Sequence, residues 1–472
     1  MYLKLKLLTA FWAFSMFSYS QSAIKISVDG GKRLQALDGI GVNINTWSWK
    51  NGELKPAIDL LVDSMQAKIF RVIVETPKEW EDVNDNDDPF VYNHKYYDSL
   101  YTTPKFLNAW KTMAYLNEKG ITDNLMINLM GYLPEWMGWE TIATDKEDEF
   151  VEMLVSFLLY AKYVQHLQFG LAAPFNEPDI KNEGPRLDEY RYVAMMRKIV
   201  TRAKQSGMND IRFVGPDAAY MKNNVAHYIP ELMKDSLVMS AISRFGVHSY
   251  SGYYAHVDSL IKHSPFPEMK FWVTEWNAWR DGLDDGIKTN YNYDFAAQCM
   301  GYLMDFLKNG AAGALVWEGY DSYYDHHAPS PFSYWGILEY DKENKIYIPR
   351  KHFFAIAQVS RYITPGSWQI ALTSSDTTVK ALAFFNPATN DPVITGINPY
   401  EKPVQVEISL DNLPAVNSGH LVFTDSVNDL RMQKKYHPDK KGKFKITVPA
   451  NCIYTFIMGS GAAGSPAASL RP

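Results

Sequence analysis

The chain has 472 residues and carries 47 Lys and Arg against 53 Asp and Glu, a net charge of −6. No basic tract is present to displace phosphate counterions, so nucleic acid is not an expected partner. Hydrophobic residues make up 46% and charged residues 21%, the balance of a folded chain and not of a disordered one.

Residues 1–22 read as a targeting signal. Lys4 and Lys6 give a basic start, an apolar run covers 7–17, and Ser20, Gln21, Ser22 and Ala23 give a small, polar cleavage zone. The run is shorter than the roughly 20 residues that a membrane span needs. Export to a secreted or periplasmic location after cleavage is therefore expected, with no spanning segment. The two cysteines, Cys299 and Cys452, lie far apart and match no metal or redox spacing. One disulfide or two buried thiols are the open readings, and the thiols are preferred.

Next, residues 23–28 read as a strand, Asp29, Gly30 and Gly31 as a tight turn, and 33–37 as a return strand. Residues 23–37 are assigned to a β-domain completed later in the chain. From residue 38 to 364 short apolar runs alternate with amphipathic stretches. The runs are 39–44, 69–74, 125–129, 169–175, 211–214, 245–247, 271–274 and 314–317. Between them, Phe150, Leu154, Phe157, Leu158 and Ala161 recur at helical spacing. So do Tyr192, Met195, Met196 and Ile199, and Phe295, Cys299, Tyr302 and Phe306. Eight strands with intervening helices predict an α/β fold, a (β/α)8 TIM barrel. A doubly wound open sheet would carry a Gly-rich phosphate loop after its first strand, and none is present. Beyond Pro365 and Gly366 the helical period disappears. Strands are expected at 368–372, 379–385, 404–410, 420–424, 443–448 and 453–458, forming a C-terminal β-sandwich side domain over 365–458. The Gly/Ala/Ser/Pro-rich tail, 459–472, is expected to be disordered.

A barrel places its chemistry at the C-terminal ends of its strands. The polar residues there include Asn43, Asn45, Arg71, Glu75, Asn128, Asp217 and Asp321. Two glutamates, Glu177 and Glu275, each close an apolar strand, the fourth and the seventh. A buried lone carboxylate is costly, so its presence at such a mouth needs a reason. Strands four and seven lie nearly opposite each other, and two carboxylates facing one centre are what glycosidic bond cleavage requires.

The segment Ala173-Pro174-Phe175-Asn176-Glu177-Pro178 resembles the strand-four acid/base motif of the clan A glycoside hydrolases, and Trp272-Val273-Thr274-Glu275-Trp276 resembles their strand-seven nucleophile motif. Within that clan the layout is most similar to glycoside hydrolase family 30, whose side domain takes strands from both chain ends; residues 350–366 are similar to its helix-to-sandwich junction. The resemblance implies Glu177 as general acid/base and Glu275 as nucleophile. It implies Asn176 at the sugar 2-hydroxyl or the nucleophile, Arg71 paired with Glu275, His248 and Tyr250 against the two carboxyls, and Trp317 as the floor of the sugar subsite. The chemistry asks for one carboxyl that holds a proton and one that stays charged, and Arg71 would favour the charged form of Glu275.

The aromatics Trp47, Trp49, Trp80, Trp136, Trp139, Trp276, Trp279 and Trp317 sit at or after strand ends, where indole faces suit sugar C–H faces. Trp136 and Trp276 are taken as substrate contacts. Glu75 and Glu318 either bind substrate hydroxyls or pair structurally; Glu318 is retained as a substrate contact. The run from Asp82 to Asp88 mimics half a calcium loop, but Asp87 stands where Gly is needed and Asn93 where Glu is needed, so a solvated loop is expected. Asp325-His326-His327 is read as cleft or surface, not as a metal site. The expectation is a retaining β-glycosidase with a carbohydrate substrate and no cofactor or metal. A non-catalytic carbohydrate-binding protein and a metal-dependent barrel hydrolase are its rivals.

Overall fold

The computed structural model describes residues 23–76, 79–252, 255–278, 288, 291–325 and 331–459. The expected targeting segment, the tail beyond 459, Trp279, His326 and His327 lie outside them. The first strand, β1 (Ile24–Ala36), belongs to the side domain. The next eight close a parallel barrel in chain order: β2 (Gly39–Asn45), β3 (Ile69–Glu75), β4 (Leu125–Met130), β5 (Leu171–Ala173), β6 (Arg212–Pro216), β7 (Ile242–His248), β8 (Phe271–Trp276) and β9 (Gly313–Val316).

Alternate side chains of a strand face opposite ways. The inner layer therefore holds Ile69, Met126, Leu171, Val214, Trp272 and Leu315. Two residues further on, the same inward faces present buried Arg71, Asn128 and Thr274. The barrel interior thus changes from apolar to polar as each strand approaches its C-terminal end. The outward set packs on the helices Glu147–Leu159, Glu189–Gln205 and Tyr293–Lys308, whose apolar stripes were visible in the sequence. At the opposite end, Asp38 accepts hydrogen bonds from Arg244, Lys270 and the Trp272 indole, each at 2.8 Å.

After β9 the chain makes two short antiparallel pairs: β10 (Ser322–Tyr323) with β11 (Phe332–Ser333), and β12 (Leu338–Asp341) with β13 (Ile346–Pro349). The helix Lys351–Ser360 then leads to β14 (Trp368–Ser374), β15 (Lys380–Asn386), β16 (Asp391–Asn398), β17 (Val404–Asp411), β18 (Gly419–Thr424), β19 (Arg431–Tyr436), β20 (Phe444–Val448) and β21 (Cys452–Met458). With β1 these form one nine-stranded sheet in the order β19-β18-β21-β16-β15-β14-β1-β17-β20. The sheet rolls so that its two halves face each other as the two layers of the side domain. Phe444 of β20 packs on Phe456 of β21, with ring centroids 5.3 Å apart. Gln358 fastens this domain to the barrel, donating to Thr424 Oγ1 and accepting at its carbonyl from Thr455 Oγ1.

Two expectations need correction. The N-terminal hairpin is one long strand. β1 runs antiparallel to β14 along its length, and Asp29 to Arg33 form a register break, not a reversal. β14 pairs with β1 on both sides of the break, and β17 pairs with Ile24 to Asp29 before it, which overrides the local turn signal. Strands β16 and β19 were not foreseen. Both cysteines are buried free thiols. Among the described residues no helix is long and apolar enough to cross a membrane.

Candidate active site

The parallel barrel brings the predicted strand-end residues to one mouth. Arg71 on β3 is fully buried and bonds in four directions. Its Nη1 donates to Asn43 Oδ1 at 2.9 Å and to Glu275 Oε2 at 3.1 Å. Its Nη2 donates to Asn176 Oδ1 at 2.6 Å and reaches Asp217 Oδ2 at 3.4 Å. Tyr250 Oη donates to the other Glu275 oxygen at 2.8 Å. His248 Nδ1 lies 2.7 Å from Glu177 Oε1 and 3.7 Å from Glu275 Oε2. One oxygen of Glu177, one of Glu275 and a His248 nitrogen all fall within 4.8 Å of one another.

A bulge aims Glu275. Trp272 and Thr274 point inward along β8, so strict alternation would send Glu275 outward. Instead the pairing shifts register against β7 at His248 and against β9 before Trp276. Two successive side chains, Thr274 and Glu275, therefore serve the mouth. Glu177 follows β5 at φ 43°, a left-handed conformation unusual for a residue with a side chain. Its N–H donates to the Asp217 carbonyl at 2.9 Å. Asp217 also has a positive φ, 55°, and accepts from Thr274 Oγ1 at 2.6 Å. Gly246 makes this possible: a Cβ there would lie 2.0 Å from Asp217 Oδ1.

The structure places Glu177, Glu275, Asn176, Arg71, His248 and Tyr250 together. Asn43, Asp217 and Thr274 complete the cluster around the guanidinium, although sequence reasoning gave none of them a role. Trp317 is nearly buried at the end of β9, its ring centroid 5.1 Å from that of Tyr324. Glu318 accepts at Oε2 from Ser322 Oγ (2.9 Å) and Tyr324 Oη (2.5 Å). Glu75 accepts from the Asp325 N–H at 3.1 Å. Both glutamates thus tie down the chain that follows β9.

Trp276 is not a cleft residue. The bulge that turns Glu275 inward sends Trp276 outward, where it is fully buried edge-on against Phe306 at 5.4 Å. Trp136 is also placed differently from expectation. Its indole N–H donates to the Glu81 carbonyl at 2.6 Å, and Lys146 covers its ring at 5.6 Å, so it is bound to the neighbouring acidic segment. Trp80 is core, packed on Phe106 and Phe157. Exposed Trp139 stacks on Tyr132 with centroids 4.5 Å apart.

No family model matches the sequence, and no curated protein matches it. Solved structures do match. A family 30 endoxylanase from Clostridium papyrosolvens aligns with a TM-score of 0.70 at 15% identity, covering 92% of this chain and 100% of that one. A conserved exported protein from Bacteroides fragilis gives a TM-score of 0.70 at 15% identity, over 92% of this chain and 99% of that one. An endo-β1,6-glucanase aligns with a TM-score of 0.66 at 15% identity, over 93% of this chain and 95% of that one. The fold is that of the family 30 glycoside hydrolases. A family 51 α-L-arabinofuranosidase from Thermotoga petrophila also aligns, with a TM-score of 0.63 at 13% identity over 92% of this chain and 100% of that one. The scaffold alone therefore does not choose a sugar.

On this family 30 fold the electrostatics of the mouth follow from burial. Burial pushes the Glu275 carboxyl up to about 7; the Glu177 charge adds to this, while His248, Arg71 and the Tyr250 hydroxyl oppose it. Burial pushes His248 down, against the pull of Glu275 and Asp217. Arg71 pairs with Glu275 and favours its charged form, as expected, but does not cancel the cost of burial. Glu177, His248 and Glu275 also offer the atom types of a metal site. The guanidinium 3.1 Å from Glu275 already supplies the cation there, and a metal ion would be placed against it.

Proposed function

We propose that the chain is a retaining glycoside hydrolase that cleaves β-glycosidic bonds in a polysaccharide or its fragments. The approach of one oxygen of Glu177 to within 4.8 Å of one oxygen of Glu275 carries this reading. Retaining enzymes hold their carboxyls about 5–5.5 Å apart, whereas inverting ones leave about 6.5–9.5 Å for a water. The family 30 xylanases and the endo-β1,6-glucanase that share the fold support a carbohydrate substrate. Export of the chain, expected from residues 1–22, is part of the same proposal.

In the first step Glu177 donates its proton to the leaving oxygen. Glu275 attacks the anomeric carbon, the carbon–oxygen bond breaks, and a glycosyl ester forms on Glu275. Glu177, now charged, takes a proton from water, and the hydroxide releases the sugar and restores Glu275. Arg71 and Tyr250 fix one Glu275 oxygen each and stabilise its charged form. His248 holds Glu177. Asn176, positioned by Arg71, faces the same space from β5 and would meet the 2-hydroxyl. Trp317 would pack on the ring of the bound sugar.

A screen on β-linked glucans, galactans, xylans and mannans, read by reducing ends, is expected to find one class that is hydrolysed. Proton NMR of the first-formed product should show the β anomer. An α anomer would refute retention, and oligosaccharide binding without hydrolysis on any substrate would favour a non-catalytic lectin.

The pH profile offers a second test. Glu275 must be charged to attack, and its pKa is raised, so activity is present above that value and lost as the pH falls through it. The acid limb of kcat/KM should therefore lie near 7. Tyr250→Phe removes a donor to the charged form. It should move that limb upward and lower kcat at neutral pH by roughly 10-fold or more. An unmoved limb would show that Tyr250 does not act on Glu275.

A further inference from the structure

The acidic segment after β3 was expected to be solvated. In the structure it folds over the helix Glu147–Leu159, and Glu152, on that helix, is 1% exposed. Neither Glu152 oxygen has a hydrogen-bond partner. One carboxylate oxygen each from Asp85, Glu149 and Glu152 lies within 4.8 Å of the other two. Asp85 is oriented for this. Its Oδ2 accepts from Asn86 Nδ2 at 2.8 Å and from the Asn93 N–H at 3.1 Å, while its Oδ1 is buried and unpartnered. Asn84 lies against Glu149, with Nδ2 3.4 Å from Oε1, and its own amide oxygen is buried and unpartnered.

Three carboxylates facing one another at this depth repel unless one of them takes a proton or a cation joins them. The nearest basic groups form no ion pair with the three carboxylates, although the charge of Arg202 reaches Glu152 and that of Lys146 reaches Glu149. Arg202 donates to the Pro89 carbonyl at 2.9 Å and lies over the Phe90 ring at 4.4 Å. Lys146 lies over Trp136. Glu81, also buried, adds a further acid and bonds Tyr97. Burial pushes the Glu152 carboxyl up to about 8, with Asp85 and Glu149 adding to it and the Arg202 charge opposing it.

We propose that Asp85, Glu149 and Glu152 bind a calcium ion that clamps the segment after β3 onto the helix Glu147–Leu159. The donor set is all oxygen, with no His or Cys, which selects a hard cation. Several protein carboxylates drawn from two elements suit calcium, which takes six to eight flexible oxygen ligands. Magnesium keeps more of its water and demands a tighter octahedron. This is not the helix–loop–helix motif that the run from Asp82 to Asp88 superficially resembles, because two of the ligands come from a helix more than sixty positions away in the chain. The clamp reaches Trp136, whose indole is bonded to the carbonyl of Glu81 on the same segment. The proposal does not depend on the glycosidase reading.

The test is thermal unfolding of the full-length protein after EDTA dialysis, in about 5 mM calcium chloride, about 5 mM magnesium chloride or EDTA. Calcium should raise the midpoint by at least about 3 °C over EDTA, and magnesium by less. Glu152→Gln should abolish the calcium shift, and so should Asp85→Asn, which serves if the first variant does not fold. Terbium luminescence sensitised by the nearby tryptophans, quenched by added calcium, gives a readout in the native protein. Equal midpoints in calcium and EDTA without terbium luminescence would overturn the proposal. A calcium shift that survives in both variants would overturn it as well, by placing the ion elsewhere.

Discussion

Glu275→Ala is expected to lower kcat by about 10^4- to 10^6-fold on every substrate, because no other group forms the glycosyl ester. Glu177→Ala should behave differently. With a natural sugar leaving group, the first step loses its proton donor and kcat falls by a similar order. With an activated aryl glycoside, whose leaving group needs no proton, ester formation persists and hydrolysis of the ester becomes limiting. A burst of aryl alcohol should then precede a slow steady state, and azide should restore turnover by attacking the ester directly, giving a β-glycosyl azide. Both carboxyls are about nine-tenths buried or more, at 5% and 6% exposure. Unfolding measurements on both variants are therefore needed to separate lost chemistry from lost structure. Wild-type activity in either folded variant would end the assignment.

The second large effect concerns stability. Arg350 precedes the helix Lys351–Ser360 and grips Asp321 with two parallel bonds, Nη1 to Oδ1 at 2.6 Å and Nη2 to Oδ2 at 2.7 Å. Both residues are buried. Arg350 also donates to the Gly336 carbonyl at 2.5 Å, and Asp321 accepts from the Gly336 N–H at 3.1 Å. The pair thus joins the chain that follows β9 to the last barrel helix. Arg350→Met leaves a buried carboxylate without its cation and should cost about 3–5 kcal/mol in denaturant unfolding. Adding Asp321→Asn should recover part of that loss, because the uncompensated charge is what destabilises. A single-variant cost below about 1 kcal/mol would show that the pair is not holding this region.

Much of the barrel was legible because its strands and helices differ in period. Strands such as β3 read as apolar runs, and helices such as Glu189–Gln205 show a stripe at three and four residues. The side domain was less legible. β19, with the sequence Arg-Met-Gln-Lys-Lys-Tyr, lies at a sheet edge, where one side faces solvent and no apolar alternation is required. β16 starts with Asp391 and Pro392 and contains Gly396, all turn-like signals that its neighbours β15 and β21 override. In β1 the same override turned Asp29-Gly30-Gly31 from a reversal into a register break.

The candidate site was legible where a charged residue interrupts an apolar strand, as at Arg71, or ends one, as at Glu177 and Glu275. It was not legible where geometry depends on a bulge. The extra inward residue at Glu275 moves Trp276 to the other face, and the period-two reading that makes a strand recognisable cannot show that shift. Asp217 follows Gly215 and Pro216, which look like a turn; its burial against Arg71 and Thr274 arises from barrel closure, not from local sequence. The sequence around Asp85 suggested solvent because its partners, Glu149 and Glu152, sit on a distant helix.

The most direct test is to trap the intermediate. The enzyme is incubated with the 2-deoxy-2-fluoro β-glycosyl fluoride of the sugar found in the substrate screen, digested, and mapped by mass spectrometry. The account predicts one added glycosyl unit on the peptide that contains Glu275, and none in Glu275→Ala. A label on Glu177, or turnover with inversion and no label at all, would contradict it.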